Sequence, residues 1–306
     1  MKVFCIGSNG LLSSALGVYC EKFNIPLDVT GIEKPKRHSY TSFMPCNLLN
    51  KDFESMNFAN ADLIVYASGA GIQSNLHENV DLIYDLNVNI PISLANYLEK
   101  INFHGTFITF GSYFEIGENQ INYKWSENDV IYSNKPVSGI YSISKRLLTR
   151  FASLFQPSSY RYLHFILPTI YAEYENPFRL IPYTLKNLLT GNENKYTSGT
   201  QIREYLYIDD VIQYLFLAVN TDMLSGVYNM AGNEVISIRE LVKILYDSLK
   251  YELDFEIFGK ITRNDDKMQN LQLNGQKLEL FTGKITKKNI VDTIPLYINE
   301  INMSHD

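Results

Sequence analysis

Short apolar runs of strand length alternate with stretches of helical periodicity through the first half of the chain. Val3-Phe4-Cys5-Ile6 is a strand-sized run ended by Gly7. Leu11 to Phe23 follows as a helix, with Leu12, Leu16 and Tyr19 near one face. Leu27 to Ile32 is a second strand, and Asp62 to Ala67 a third that closes on Ser68-Gly69-Ala70-Gly71. Val80 to Lys100 reads as a helix that Pro91 is expected to kink, because proline lacks the N–H and crowds the preceding turn. Gly105 to Phe110 is a strand ending in Gly111-Ser112, Gly139 to Phe155 a helix, and Leu163 to Leu167 a strand. This rhythm predicts an α/β architecture, a parallel sheet covered by helices on both faces. Ligands bind such sheets at the carboxyl ends of the strands, which gathers Gly7, Gly69, Ser112 and Pro168 around one crevice.

Beyond Pro168 the rhythm changes. Tyr171 to Pro182 and Asn187 to Gln201 read as loops with one helix between them. Asp209 to Asn220 is a helix, Gly226 to Met230 a strand, and Ile238 to Leu249 a helix with Ser237 as its N-cap. The remainder is short and mixed, and a second lobe built from separated stretches is expected.

The 306 residues are long enough for about two lobes, and 45% hydrophobic residues exclude intrinsic disorder. A net charge of -6 makes the chain a poor nucleic-acid binder, since that affinity rests on Lys and Arg. Cys5, Cys20 and Cys46 are odd in number and without metal spacing, so no metal and no disulfide framework is expected. With no signal segment and no apolar run long enough to span a bilayer, the expected location is cytoplasmic, away from membranes.

Gly7-Ser8-Asn9-Gly10-Leu11-Leu12-Ser13 links the first strand to the first helix. The first glycine permits the sharp turn, and the second lets backbone N–H groups approach a pyrophosphate at the positive helix end. Ser13 takes a third position that needs a small residue. The turn predicts a Rossmann-type dinucleotide-binding domain over residues 1–168, with 209–230 packing against it. Residues 169–208 and 231–306 are then the smaller substrate lobe. Glu33 ends the second strand about 23 residues after Gly10, where an acid accepts from an adenine-ribose 2'-hydroxyl and favours NAD(H). Lys34, Lys36 and Arg37 follow and are able to hold a 2'-phosphate, which favours NADP(H); Glu33 tips the expectation to NAD.

Tyr141 and Lys145 lie four residues apart, on one face of a helix. The ammonium favours the phenolate and is expected to lower the Tyr141 pKa, fitting the phenol to exchange a proton with a carbinol oxygen during hydride transfer. The hydroxyl of Ser112, at a strand end, is placed to orient the same oxygen.

With these motifs the chain resembles the extended short-chain dehydrogenase/reductase family, in its branch of NAD-dependent sugar-nucleotide epimerases, dehydratases and reductases. The resemblance runs from Val3 to about Leu278 and rests on Gly7-Ser8-Asn9-Gly10, Asp62 to Ala67, Asn87-Val88-Asn89, Gly111-Ser112, Tyr141 to Lys145, Gln201 to Val211 and Gly226 to Met230. It implies a catalytic set of Ser112, Tyr141 and Lys145, with Lys145 also holding the nicotinamide ribose. It implies cofactor contacts from Gly7, Asn9, Gly10, Leu11 and Leu12, from Glu33, Asn47 and Leu48, and from Ala67, Ser68, Gly69, Asn87 and Pro168. Arg203, beside Glu204-Tyr205, and Arg263 are implied to meet the pyrophosphate of the substrate. Thr169 and Tyr171 are candidates for the sugar pocket. The chain departs from the family at Asn47, where an Asp is common, and at Ile166 and Ala172, where an Arg and a Gly are.

The 4,6-dehydratases of this family carry Asp-Glu directly after the hydroxyl residue. Tyr113 and Phe114 stand there, which argues against water loss. A 4-keto-6-deoxyhexose nucleotide reductase is the leading expectation, and a 4-epimerase that retains NAD is the alternative. A noncatalytic NAD(P)-binding regulatory relative is disfavoured because Tyr141 and Lys145 are both present. The resemblance also suggests a homodimer formed through the helices at Val80–Lys100 and Gly139–Phe155.

Overall fold

In the computed structural model, which describes residues 1–58, 60–72, 78–263 and 265–303, the apolar runs divide between the two faces of one sheet. The strands are β1 (Val3–Ile6), β2 (Leu27–Gly31), β3 (Ser42–Pro45), β4 (Leu63–Tyr66), β5 (Thr106–Ser112), β6 (Arg161–Leu167), β7 (Thr169–Tyr171), β8 (Ile202–Tyr207), β9 (Gly226–Asn229), β10 (Glu234–Ser237) and β11 (Asn270–Leu271). The helices are α1 (Leu11–Lys22), α2 (Val80–Tyr84), α3 (Ile90–Lys100), α4 (Glu127–Ile131), α5 (Ile140–Leu154), α6 (Leu180–Thr190), α7 (Ile208–Val219), α8 (Ile238–Ser248), α9 (Gln276–Thr282) and α10 (Ile290–Met303).

Val3, Cys5, Leu63, Val65, Ile108 and Phe110 join a core with Leu16 of α1 and Leu215 of α7. Phe4, Ile6, Ile64, Tyr66 and Phe107 alternate with them and join Leu94 and Leu98 of α3 and Ala152 of α5 on the other face. Burial on both faces explains why these strands read as unbroken apolar runs. Each fully buried Leu, Ile or Val contributes about 1.5–3 kcal/mol. The sheet is parallel throughout, in the order β3-β2-β1-β4-β5-β6-β9. The order reverses direction at β1 and β4, and a doubly wound sheet opens its ligand crevice at such a switch.

A second, smaller sheet runs β10-β8-β11, with β7 also paired to β8. Leu188 of α6, Val242 and Tyr246 of α8, and Tyr196 and Phe258 form a separate core. Among the described residues no helix is long and apolar enough to cross a membrane.

Two local expectations are corrected, and a segment without an expected element proves to be a strand. Pro91 does not kink a single helix. It lies at the start of α3, and the irregularity in the continuous helical run is the π-helical turn Asp85–Asn89 just before it. Ile202 to Tyr207 is a buried strand despite Arg203 and Glu204, because both charges find partners far along the chain. The end of the chain is not merely short and mixed: α10 covers 14 residues and tolerates Pro295 within it.

Candidate active site

Gly7 turns the chain out of β1 at φ +115°, and a Cβ there would lie 2.9 Å from Ser68 Oγ and 3.1 Å from the Ala67 carbonyl carbon. Only glycine fits that conformation and that space. Gly10 is the N-cap of α1 and gives it no side-chain cap, while a Cβ there would meet nothing nearer than Ser13 Oγ at 3.5 Å. Ser13 is buried and donates to the Gly10 carbonyl at 3.0 Å. The start of α1 therefore combines a positive dipole end with an uncrowded backbone, which suits a pyrophosphate. Leu11 and Leu12 are the first residues of α1. Ala67, Ser68 and Gly69 follow β4 directly, with Ser68 Oγ donating to the Ile6 carbonyl at 3.2 Å.

Asn9 fastens this turn to the segment after β2. Its Nδ2 donates to the Lys34 carbonyl at 3.1 Å, and its Oδ1 accepts from the Lys36 N–H at 3.0 Å. Glu33 is exposed and pairs with Lys36 Nζ at 2.8 Å, which holds its carboxyl below the usual range. Arg37 is not turned to this ribose end. It pairs with Glu300 of α10 and lies 4.7 Å from the centre of the Tyr174 ring. Asn47 caps a short 3-10 turn beginning at Leu48 by accepting from the Leu49 N–H at 3.1 Å.

Ser112 ends β5, and Tyr141 and Lys145 share a face at the start of α5. The Ser112 hydroxyl faces the Tyr141 phenol and favours its charged form. Lys145 Nζ lies 5.8 Å from the centre of the Tyr141 ring and donates to the Phe110 carbonyl at 2.9 Å. The expected lowering of the Tyr141 pKa is reversed: burial outweighs the hydroxyl and the Arg179 guanidinium, and the phenol lies above its ordinary value. Asn87, in the π-helical turn, braces the group from behind. It donates to Ser144 Oγ at 3.0 Å and accepts from the Ala70 N–H at 3.0 Å, linking the loop after β4 to α5.

On the substrate side, Pro168 separates β6 from β7, and Thr169 Oγ1 meets the Tyr113 hydroxyl at 2.5 Å. Tyr171 does not line a pocket. It is wholly buried, its ring edge-on to Tyr205 and Tyr207, with its hydroxyl donating to the Lys288 carbonyl at 3.3 Å. Arg203 is buried and spends its guanidinium on the Ile202 and Met268 carbonyls and on Asp265, at 3.1 Å. Arg263 is exposed and reaches the same Asp265 at 3.5 Å, so one carboxylate joins both arginines.

Two groups escaped the sequence reading. Arg179 stands just before α6, pairs with the buried Glu175 at 2.9 Å and acts on the Tyr141 phenol. Glu115 lies wholly buried under Ser112. The sequence offered a signal only for Glu115, an acid three residues after the candidate hydroxyl in the form of a capping box.

The chain belongs to the NAD dependent epimerase/dehydratase family, whose sequence profile matches residues 3–231. A CDP-abequose synthase of Yersinia pseudotuberculosis is 23% identical, across 94% of this chain and 100% of that protein. Among solved structures, a UDP-glucose 4-epimerase of Thermotoga maritima with UDP-glucose superposes with a TM-score of 0.85 at 16% identity, covering 100% of both chains. A dTDP-glucose 4,6-dehydratase of Bacillus anthracis in complex with NAD superposes at 0.80 and 16% identity, over 100% of this chain and 97% of that one.

Proposed function

We propose that the chain reduces a nucleotide-linked 4-keto-6-deoxyhexose at C4, using Ser112, Tyr141 and Lys145. The observation that carries this reading is the surroundings of Ser112. The next two residues are Tyr113, with its hydroxyl on Thr169, and Phe114, while the nearest acid, Glu115, is turned into the protein against the Ser112 N–H. The positions after Ser112 thus offer no carboxylate to remove water from the sugar, and an alcohol-forming set remains. The full-length likeness to a synthase of a CDP-linked sugar supports the same direction.

The reduced nicotinamide cofactor, when bound, supplies the hydride that adds to the C4 carbonyl carbon. Tyr141 gives its phenolic proton to the carbonyl oxygen, which becomes the new hydroxyl. Ser112 holds that oxygen by donating to it, and Lys145 stabilises the phenolate left behind. Gly7, Gly10 and the start of α1 hold the pyrophosphate of the cofactor. Arg203 and Arg263 meet the diphosphate of the substrate, whose charge replaces that of Asp265 on them. The test is a panel of dTDP-, CDP-, GDP- and UDP-linked 4-keto-6-deoxyhexoses, followed by the fall in absorbance near 340 nm as NAD(P)H is consumed. One member should be turned over with one reduced cofactor per product. Interconversion of two hydroxyl sugars without added cofactor contradicts the reading.

One observation favours a 4-epimerase with retained NAD as the second reading. Arg37 ties the segment after β2 to Tyr174 and to Glu300 of α10, a link across the cofactor side that would slow exchange. The proposal also includes a homodimer. Ile143, Leu147 and Leu154 form an exposed apolar stripe along α5, one face of a helix left without an intrachain cover.

Glu33 sets the preference for NAD(H) in this proposal. Glu33→Ala releases Lys36 to face a 2'-phosphate beside Lys34, so the ratio of NADH to NADPH affinity should fall about five- to tenfold. Fluorescence titration with both cofactors measures it. A strong NADPH preference in the unmodified protein contradicts the assignment.

A further inference from the structure

The carboxyl end of β5 breaks its apolar pattern at Thr109 and Gly111, on the face that meets α5. The missing side chain at Gly111 leaves room that three polar groups converge upon. A Cβ there would lie 2.7 Å from Glu115 Oε1, 2.7 Å from His164 Nε2 and 2.9 Å from Thr149 Oγ1. Glu115, Thr149 and His164 are wholly buried, and each comes from a different element: the turn after β5, α5 and β6. Such a group is costly to bury unless its members compensate one another.

His164 is satisfied as a neutral ring, with Nδ1 on Thr109 Oγ1 at 2.7 Å and Nε2 on Thr149 Oγ1 at 2.9 Å. Burial and the nearby Lys145 push its pKa down to about 3, so it adds no charge at neutral pH. Glu115 Oε1 accepts from the Ser112 N–H at 2.6 Å, whereas Oε2 makes no hydrogen bond among the described residues. The charges that face the carboxylate are Lys145 and Arg146, both of α5, and Arg146 Nε also donates to the Glu115 carbonyl at 2.7 Å.

We propose that Glu115 is a positioning residue for the reaction: its buried carboxylate fixes the backbone of Ser112 and keeps the neighbouring, partly buried Lys145 cationic. The inference rests on the reading of Ser112, Tyr141 and Lys145 given above. Burial draws Lys145 down and the Glu115 charge opposes that fall, the two together leaving it at about 8. Burial lifts Glu115 to about 7 against hydrogen bonds from Thr149 and the Ser112 N–H and, after them, the charges of Lys145 and Arg146. The phenol of Tyr141 is also near enough to feel the carboxylate, with Arg179 and Tyr113 acting on it from the substrate side.

Glu115→Gln tests the charge alone, since the amide oxygen still accepts from the Ser112 N–H. Lys145 is partly exposed, so its titration is measured on the protein without substrate, from the pH dependence of labelling by acetic anhydride read by mass spectrometry. The Lys145 midpoint should fall by about one unit or more in Glu115→Gln, a tenfold loss of the protonated fraction at a given alkaline pH. Glu115→Asp, which keeps the charge, should restore most of the shift. The alkaline limb of kcat should move down by the same amount. An unchanged Lys145 midpoint in a folded Glu115→Gln protein overturns the proposal. Should that variant fail to fold, the wild-type curve decides: a Lys145 titration broadened by coupling to a carboxylate that titrates near 7 supports the proposal. A curve that fits one uncoupled proton overturns it. The labelling does not depend on turnover, so a shifted Lys145 in a protein that reduces no keto sugar removes the reaction reading and leaves this one standing.

Discussion

Tyr141→Phe is expected to lower kcat by about 10²-fold or more, with the fold and the cofactor affinity retained. The substitution removes one oxygen from the first turn of α5 and leaves the ring in place. Without the phenol, the Ser112 hydroxyl still faces the carbonyl oxygen but has no proton relay behind it. Under the proposed reaction no acid would then protonate the carbonyl oxygen. The loss should fall on kcat, because the phenolic proton moves only in the transition state. Steady-state kinetics, together with circular dichroism and cofactor titration on the same preparation, measure it. Turnover equal to wild type removes Tyr141 from the reaction.

Gly7→Val is expected to cost both stability and cofactor. The backbone at φ +115° is one that a β-branched residue scarcely adopts, and the new Cβ would press on Ser68 Oγ and on the Ala67 backbone. Strain of this kind costs roughly 1–3 kcal/mol before the clash is counted. The melting temperature should fall by about 5 °C or more, and cofactor affinity by more than about tenfold, because β1, β4 and the start of α1 meet at this point. Gly259→Ala serves as the control: it also has a positive φ, 77°, but nothing lies within 4 Å of the added Cβ. It should cost about 1 kcal/mol and leave the cofactor untouched. Equal effects from the two variants contradict the role given to the Gly7 turn.

The contrast between these glycines shows what was legible in the sequence. β1, β4, β5 and β6 were readable because burial on both faces writes itself as a continuous apolar run. Gly7 and Ser112 stood out because each stands at the end of such a run, and Tyr141 and Lys145 because their spacing puts them on one face of a helix. β3 was not readable, being short, half-exposed and bounded by polar residues at the sheet edge. β8 was hidden for another reason. Arg203 and Glu204 look like surface charges until Asp265, Met268, Gly232 and Leu273 are brought to them across the fold. Tyr171 shows the reverse error: next to the crevice in sequence, it is claimed by the core through Tyr205 and Tyr207. Glu115 was legible as a residue but not as a participant, because its importance depends on the room left by Gly111 and on His164, which lies 49 residues further along.

The central claim, reduction at C4 by Ser112, Tyr141 and Lys145, is tested most directly by an isotope. The protein is incubated with a nucleotide-linked 4-keto-6-deoxyhexose and NAD(P)D labelled at the transferred position, and the product is examined by NMR and mass spectrometry. A reductase places one deuterium on C4 of the new alcohol and oxidises one cofactor for each product formed. A protein that instead purifies with bound NAD, interconverts two hydroxyl sugars and takes up no deuterium from added cofactor contradicts the account.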